Sequence, residues 1–205
     1  MFYILLFLWY NVSWFFGGDN IRTLEDVRRD IFVLEDRISN DLLYNYRNGE
    51  EYRGAMKRLN CLRDEALILS SERIVYSDEI DIYEKKFLGK KVNYFITIHD
   101  SCEIVGYVQV NYNDVVDPFY GNVGYEIKEE YRGHSYAYKA LELLSSIMID
   151  RGLVEPLICI KDDNYPSINT AKKFGARVVK ASTEIHPYSK YSLDLRQKVK
   201  SIKYH

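Results

Sequence analysis

Apolar residues from Leu24 to Tyr44 recur at steps of three and four: Leu24, Val27, Ile31, Leu34, Ile38 and Leu42. That spacing places them on one face of a helix, and Glu25 and Asp26 supply the acidic first turn that the helix dipole favours. Asn48-Gly49 marks a turn. A second helix is predicted from about Glu50 to Leu67, with Tyr52, Met56, Leu59, Leu62 and Ala66 on one face. The two together read as a helical hairpin, whose apolar face offers a surface for homodimerisation.

Past Ser70-Ser71 the period changes. Arg73–Tyr76 reads as a short strand and Ile80–Phe87 as a short helix. Val92–His99 and Ile104–Tyr112 alternate strongly and are rich in β-branched and aromatic residues. The four residues between them suit a hairpin. A loop over 111–119 carries Pro118, and Val123–Ile127 is another strand. A helix follows from Ser135 to Arg151, with Ala137, Ala140, Leu141, Leu144, Ile147 and Met148 on one face and Gly152 as its stop. Leu157–Ile160 reads as a strand. Pro166–Phe174 reads as a short helix that opens on proline and closes at Gly175. Arg177–Ala181 and Lys190–Leu195 close the sheet. Antiparallel strands followed by alternating strands and helices predict an α+β fold, with a mixed, mostly antiparallel sheet flanked by helices. The expected organisation is an apolar segment over 1–19, a helical extension over 20–69, the main domain over 70–197 and a basic, solvated tail over 198–205.

Residues 1–16 are almost wholly apolar, interrupted by Asn11 and Ser13. The run is short of the ~20 residues a bilayer span needs and lacks the basic start of a secretory signal. Three readings stand: an element packed on the domain, residues added by a mis-assigned start codon, and an interfacial or membrane anchor. Membrane association is not the expectation for the chain as a whole.

Formal net charge is -2, so no global field draws the chain to nucleic acid, and none is expected as a partner. Three cysteines (Cys61, Cys102, Cys159) lack CxxC spacing, and the four histidines lack metal-ligand spacing. Neither a disulfide framework nor a metal is expected, and a reducing, cytoplasmic setting fits.

Candidate chemistry lies in the order of segments from Gly121 to Ala176. Gly124-Tyr125-Glu126-Ile127 is a strand that runs into Glu130-Tyr131-Arg132-Gly133-His134-Ser135-Tyr136-Ala137, a tight turn opening a helix. Amides at a helix start have no internal acceptor, and the dipole adds positive charge, so this is a pyrophosphate site. Arg132 adds a charge-assisted contact and Gly133 permits close backbone approach. About 30 residues on, Asn164-Tyr165-Pro166-Ser167 opens a second helix that ends in Lys173-Phe174-Gly175.

In these two segments the sequence resembles the GNAT superfamily of acyl-CoA-dependent N-acetyltransferases. Arg132, Gly133 and Ala137 match the first half of its signature, and Asn164, Ser167, Lys173 and Gly175 match the second. The resemblance covers roughly Glu72 to Leu195. It implies a V-shaped opening between the family's fourth and fifth strands, in which the pantetheine arm of acetyl-CoA lies like an added strand. It also implies that the backbone of Arg132, Gly133, His134, Ser135, Tyr136 and Ala137 holds the pyrophosphate. Tyr125 and Ile127 would pair with pantetheine through their backbone, Asn164 would hydrogen-bond the same arm, and Ser167 would lie near the thioester sulfur.

Two positions depart from the pattern. Ser135 stands where the family has its second glycine, which is harmless in a right-handed conformation and weakens binding at positive φ. Ala171 stands where many members carry a tyrosine that protonates the leaving thiolate. Either Tyr165 or solvent takes that role, or the thiolate leaves unassisted. Glu126 is the first candidate for general base. His134 is a weaker one, Cys159 reads as an inert strand residue, and Asp162-Asp163 reads as a helix-start feature or as a grip on a cationic acceptor. The activity expected is transfer of an acetyl group from acetyl-CoA to a primary amine, on a small molecule or a peptide, by direct attack in a ternary complex. The alternatives are a non-catalytic acyl-CoA-binding sensor or interaction module, and a membrane-associated interaction protein built on residues 1–16.

Overall fold

A computed structural model describes residues 22–43, 49–86, 90–113, 121–183 and 187–202. The apolar segment 1–16 and most of the loop ending at Phe119 lie outside these. Among the described residues no helix is long and apolar enough to cross a membrane. The chain forms two compact units, one from residues up to Glu72 together with Asp100–Glu103, the other from Arg73–His99 and Ile104 onward.

In the first unit helices α1 (Leu24–Leu43) and α2 (Glu50–Leu69) pack together. Thr23 and Asp26 form a reciprocal cap at the start of α1: the Asp26 amide donates to Thr23 Oγ1 at 3.2 Å and the Thr23 amide to Asp26 Oδ2 at 3.0 Å. Val27 and Ile38 of α1 and Leu59, Leu62 and Ile68 of α2 are buried. Arg22 pairs with Glu65 at 2.8 Å and Arg63 with Glu35 at 2.7 Å, two ion pairs that each join residues far apart in sequence.

The second unit holds two sheets. Strands β1 (Glu72–Tyr76), β2 (Ile80–Lys86), β3 (Lys91–Ile98), β4 (Ile104–Asn111) and β5 (Val123–Ile127) follow one another in that order. The second sheet is ordered β6 (Leu157–Lys161), β8 (Tyr188–Ser192), β7 (Arg177–Lys180). Pairings β2–β3, β3–β4, β4–β5, β6–β8 and β7–β8 are all antiparallel. On one face Ile82, Ile96, Val108 and Val123 are buried with Ala140, Leu141, Leu144 and Met148 of helix α3 (Tyr136–Asp150). Each such large side chain stabilises the fold by about 1.5–3 kcal/mol on burial. Helix α4 (Tyr165–Phe174) adds Ala171 and Phe174 to the same core.

Three expectations are corrected. Residues 80–86 form strand β2, not a helix. Ile80 and Ile82 alternate with Asp81 and Tyr83, and all four are buried. Charged residues at buried positions masked the alternation, because their partners come from elsewhere: Arg73 and His99 for Asp81, and Arg151 for Glu84. The final strand is Tyr188–Ser192, not Lys190–Leu195. Leu195–Ile202 is a helix, α5, rather than a solvated tail. Leu195 is fully buried, and the Lys198 ammonium lies 2.8 Å from Glu142 of α3.

Candidate active site

Strands β5 and β6 are clasped at one end only. Gly121 bridges Ile158, the Asn122 amide donates to the Leu157 carbonyl at 2.8 Å, and the Leu157 amide donates to Asn122 Oδ1 at 3.1 Å. Gly121 sits at φ 71°, and a Cβ there would lie 2.3 Å from the Leu157 carbonyl oxygen, so only glycine makes this clasp. Beyond it the strands belong to different sheets. Among the described residues no strand pairs with the outer edge of β5, which leaves a row of backbone donors and acceptors available.

A cleft of about 640 Å³ opens there. Tyr125, Glu126 and Ile127 of β5 form one wall. Asn164, Pro166, Ser167 and Thr170, at the start of α4, form the other. Its end is the turn into α3, with Tyr131, Arg132, Gly133, Ser135, Tyr136 and Ala137.

That turn has the backbone the sequence suggested, with one cost. Gly133 has φ 91°, and an added Cβ would meet nothing within 4 Å, so its need for glycine is conformational. Ser135, the N-cap of α3, is left-handed at φ 60°, ψ 20°, and its side chain makes no capping bond. This is the positive-φ case, strained for a residue with a Cβ. The Ser135 hydroxyl instead accepts from Lys173 Nζ at 3.3 Å. The first-turn amides of α3 have no intrahelical acceptor. Arg132 is exposed, with Nε donating to the Ile127 carbonyl at 3.2 Å. Arg132 and Lys173 stand beside the turn, and Lys139 Nζ lies 5.4 Å from the Tyr136 ring centroid, all added to the positive end of the α3 dipole.

At the start of α4, Asn164 Oδ1 accepts from the Ser167 amide at 3.3 Å and so caps the helix, with Pro166 in its first turn. The Tyr125 hydroxyl reaches across from β5 and donates to the Ser167 carbonyl at 2.9 Å. Burial pushes the Tyr125 phenol up to about 12, against a smaller opposing effect of that bond. Ala171 is fully buried in the core beneath α4.

Glu126 is exposed on β5 and contributes to the cleft wall alongside Tyr125 and Ile127. Its Oε2 accepts from the Tyr107 hydroxyl of β4 at 2.9 Å. Tyr165, in contrast, is 69% exposed and stands outside the residues that line the cleft, because the first turn of α4 directs Pro166 and Ser167 there instead. His134 is exposed and stacks on Tyr136 with ring centroids 5.3 Å apart, also outside the lining. Asp162 accepts from Ser182 and, at 2.8 Å, from Ser189, while Asp163 pairs with Lys161 at 2.6 Å. Both carboxylates are thus held by close neighbours.

Sequence reading missed Tyr107, Tyr131 and Thr170. Thr170 lies three residues beyond Ser167, one helical turn along the same face, and was findable from spacing. Tyr107 required the strand register, which pairs it directly with Glu126.

The family model for the acetyltransferase (GNAT) family matches residues 62–176. The fold is similar to RimL, a ribosomal L7/L12 alpha-N-protein acetyltransferase solved in its apo form. That match has 13% identity, covers 60% of this chain and 94% of that one, and has a TM-score of 0.48. A Salmonella typhimurium acetyl transferase that modifies the N-terminal serine of 50S ribosomal subunit protein L7/L12 matches at 14% identity, 68% and 74% coverage and TM-score 0.43. The ribosomal-protein-S5-alanine acetyltransferase of Vibrio fischeri matches at 18%, 51% and 62%, with TM-score 0.43. No curated protein sequence matches the chain.

Proposed function

The chain belongs to the acetyltransferase (GNAT) family and is an acyltransferase, and from that premise we propose that it moves the acetyl group of acetyl-CoA to a primary amine by direct attack in a ternary complex. The observation that carries this reading is the cleft itself, with an edge of β5 that no described strand pairs with along one wall and the start of α3 at its end.

In this proposal the amides from Gly133 to Ala137 take the pyrophosphate, the Arg132 amide being bonded to the Glu129 carbonyl at 3.2 Å, and the Arg132 guanidinium supplies a charge-assisted contact. The backbone of Tyr125 and Ile127 pairs with the pantetheine arm as a strand would. Asn164 uses its side-chain amide on the same arm, and Ser167 lies by the thioester sulfur. The amine nitrogen attacks the thioester carbonyl carbon, the C–S bond breaks and the thiolate of CoA leaves. The proton shed by the amine goes to Glu126, directly or through one water. The thiolate takes a proton from solvent at the open mouth of the cleft, beside Ser167. The acceptor is a small-molecule or peptide amine.

A second reading, a non-catalytic acyl-CoA-binding module, draws on Ser135 in its strained conformation and on alanine at position 171. Two measurements together decide between them. Acetyl-CoA at 100 times its Kd should stabilise the protein by about 2.7 kcal/mol in a thermal-shift series. Thiol release across a panel of primary amines then separates the readings: stabilisation with release supports the transferase, stabilisation without release supports the binding module. Absence of any shift removes both.

A further inference from the structure

Resting on the reading of Glu126 as the general base, we propose that Tyr107 is its positioning residue, holding the carboxylate in the orientation from which it takes the proton of the acceptor amine.

Two observations meet at this pair, and general chemistry gives them their consequence. Tyr107 of β4 and Glu126 of β5 are direct cross-strand partners, so their side chains leave the sheet on the same face. The phenol donates to Glu126 Oε2 at 2.9 Å. A carboxylate has two oxygens, and a single phenol holds one while leaving the other for the amine. An exposed glutamate otherwise samples several rotamers, and only a fraction of them present the oxygen to a bound amine.

The spacing of the two strands is fixed beside the pair. Gly106, immediately before Tyr107, is buried, and a Cβ there would lie 2.3 Å from the Glu126 carbonyl oxygen and 2.7 Å from Ile127 Cδ1. Glycine at 106 therefore lets β4 approach β5 at the level where the phenol reaches the carboxylate. On the same face of β5, two residues before Glu126, Gly124 carries no side chain, and a Cβ there would meet nothing within 4 Å. Room for an incoming amine thus lies next to the held carboxylate along the strand. Across from Gly124, Gln109 Nε2 donates to Asn93 Oδ1 at 2.8 Å, so the neighbouring amides of this face are tied to one another.

Burial, and then the bond to Glu126, push the Tyr107 phenol above its ordinary value. It therefore stays protonated and keeps its role as donor at any pH where an amine acetyltransferase works.

The test is a double-mutant cycle on the full chain with Tyr107→Phe, Glu126→Gln and both together. Thiol release is followed with glycinamide and with the fastest amine of the panel, alongside the acetyl-CoA Kd and the Tm of each variant. Tyr107→Phe is expected to lower kcat about tenfold with an unchanged acetyl-CoA Kd, and to change kcat less than about twofold when Glu126 is already glutamine. Equal losses in both backgrounds, or no loss in either, overturn the positioning role. A Glu126→Gln enzyme that is as fast as the parent overturns the base reading itself, and the tyrosine's role with it. Slow Glu126→Gln with unaffected Tyr107→Phe overturns the tyrosine alone. If Tyr107→Phe unfolds, Tyr107→His keeps a ring donor at the site; recovery of more than half the parent rate by a well-folded histidine variant whose pairing to Glu126 is lost in the cycle also counts against the proposal.

Discussion

The Tyr125 hydroxyl donates to the Ser167 carbonyl at 2.9 Å, so a strand of one cleft wall is bonded to the first turn of the helix that forms the other. Replacing Tyr125 by Phe leaves that carbonyl without the donor and should cost about 1 kcal/mol of stability, read from urea unfolding. The same residue gives a pH signature. Its phenol is raised to about 12 in the folded chain, from an ordinary value of 10.0. A group whose folded value is raised contributes stability that is fully present below the unfolded value and lost as pH climbs through the folded one. Stability should therefore fall between pH 10 and about 12. Over that window Tyr125→Phe should fall less steeply than the parent protein. Parallel curves for the two would show that Tyr125 ionises no differently in the folded and unfolded chain.

Ser135 offers a gain of both stability and affinity. A left-handed conformation costs a residue with a Cβ about 1–2 kcal/mol, and glycine escapes that cost. Ser135→Gly should raise the Tm and tighten acetyl-CoA binding several-fold, because the turn no longer has to be held in place against its own preference. The loss of the 3.3 Å contact to Lys173 works the other way but involves an exposed ammonium, so it is the smaller effect. Isothermal titration of Ser135→Gly beside Ser135→Ala decides it. Alanine keeps the strain and loses the hydroxyl, so tighter binding by alanine would mean that the hydroxyl, not the backbone, sets the affinity.

Gly121 is the clasp that closes one end of the cleft. An alanine there adds a Cβ 2.3 Å from the Leu157 carbonyl oxygen at a positive φ. Gly121→Ala should destabilise the second unit by about 3 kcal/mol, and the damage should extend to acetyl-CoA binding, since the separation of β5 and β6 starts from this point. Gly133→Ala is the control: its φ is also positive but its surroundings are empty, so strain alone should cost about 1–2 kcal/mol. Equal costs in the two variants would show that the contact with Leu157 contributes nothing.

The contrast between β2 and α3 explains what the sequence could reveal. Helix α3 displays Ala137, Ala140, Leu141, Leu144 and Met148 toward the core and was readable from periodicity alone. Strand β2 buries Asp81 and Glu84 among its isoleucines, and no local rule foretells that Arg73 and Arg151 will meet those carboxylates. Helix α5 failed for a related reason. Eight residues are too few to signal a helix by themselves, and its anchors, Leu195 in the core and Lys198 on Glu142, are tertiary. In the cleft, the turn around Arg132 and the start of α4 announce themselves by glycine, proline and N-cap chemistry, all of which are local. Tyr107 reaches Glu126 of the cleft wall only through the β4–β5 register, a pairing between residues nineteen apart.

Ala171 invites a repair that should fail. Restoring a tyrosine at the position where the resemblance leads one to expect it looks like a gain of a proton donor near the leaving sulfur. Ala171, however, is 0% exposed and packs in the core with Phe174 and Leu195. A phenol ring inserted there enters the packed core, and overpacking a core costs about 1–3 kcal/mol. Ala171→Tyr should therefore lower the Tm and leave thiol release no faster than in the parent. Ser167→Ala, by comparison, removes a hydroxyl at the cleft wall without adding volume and should keep the Tm while slowing release. A well-folded Ala171→Tyr protein with faster turnover would show that α4 can shift to admit the ring, and that thiolate protonation limits the rate in the parent.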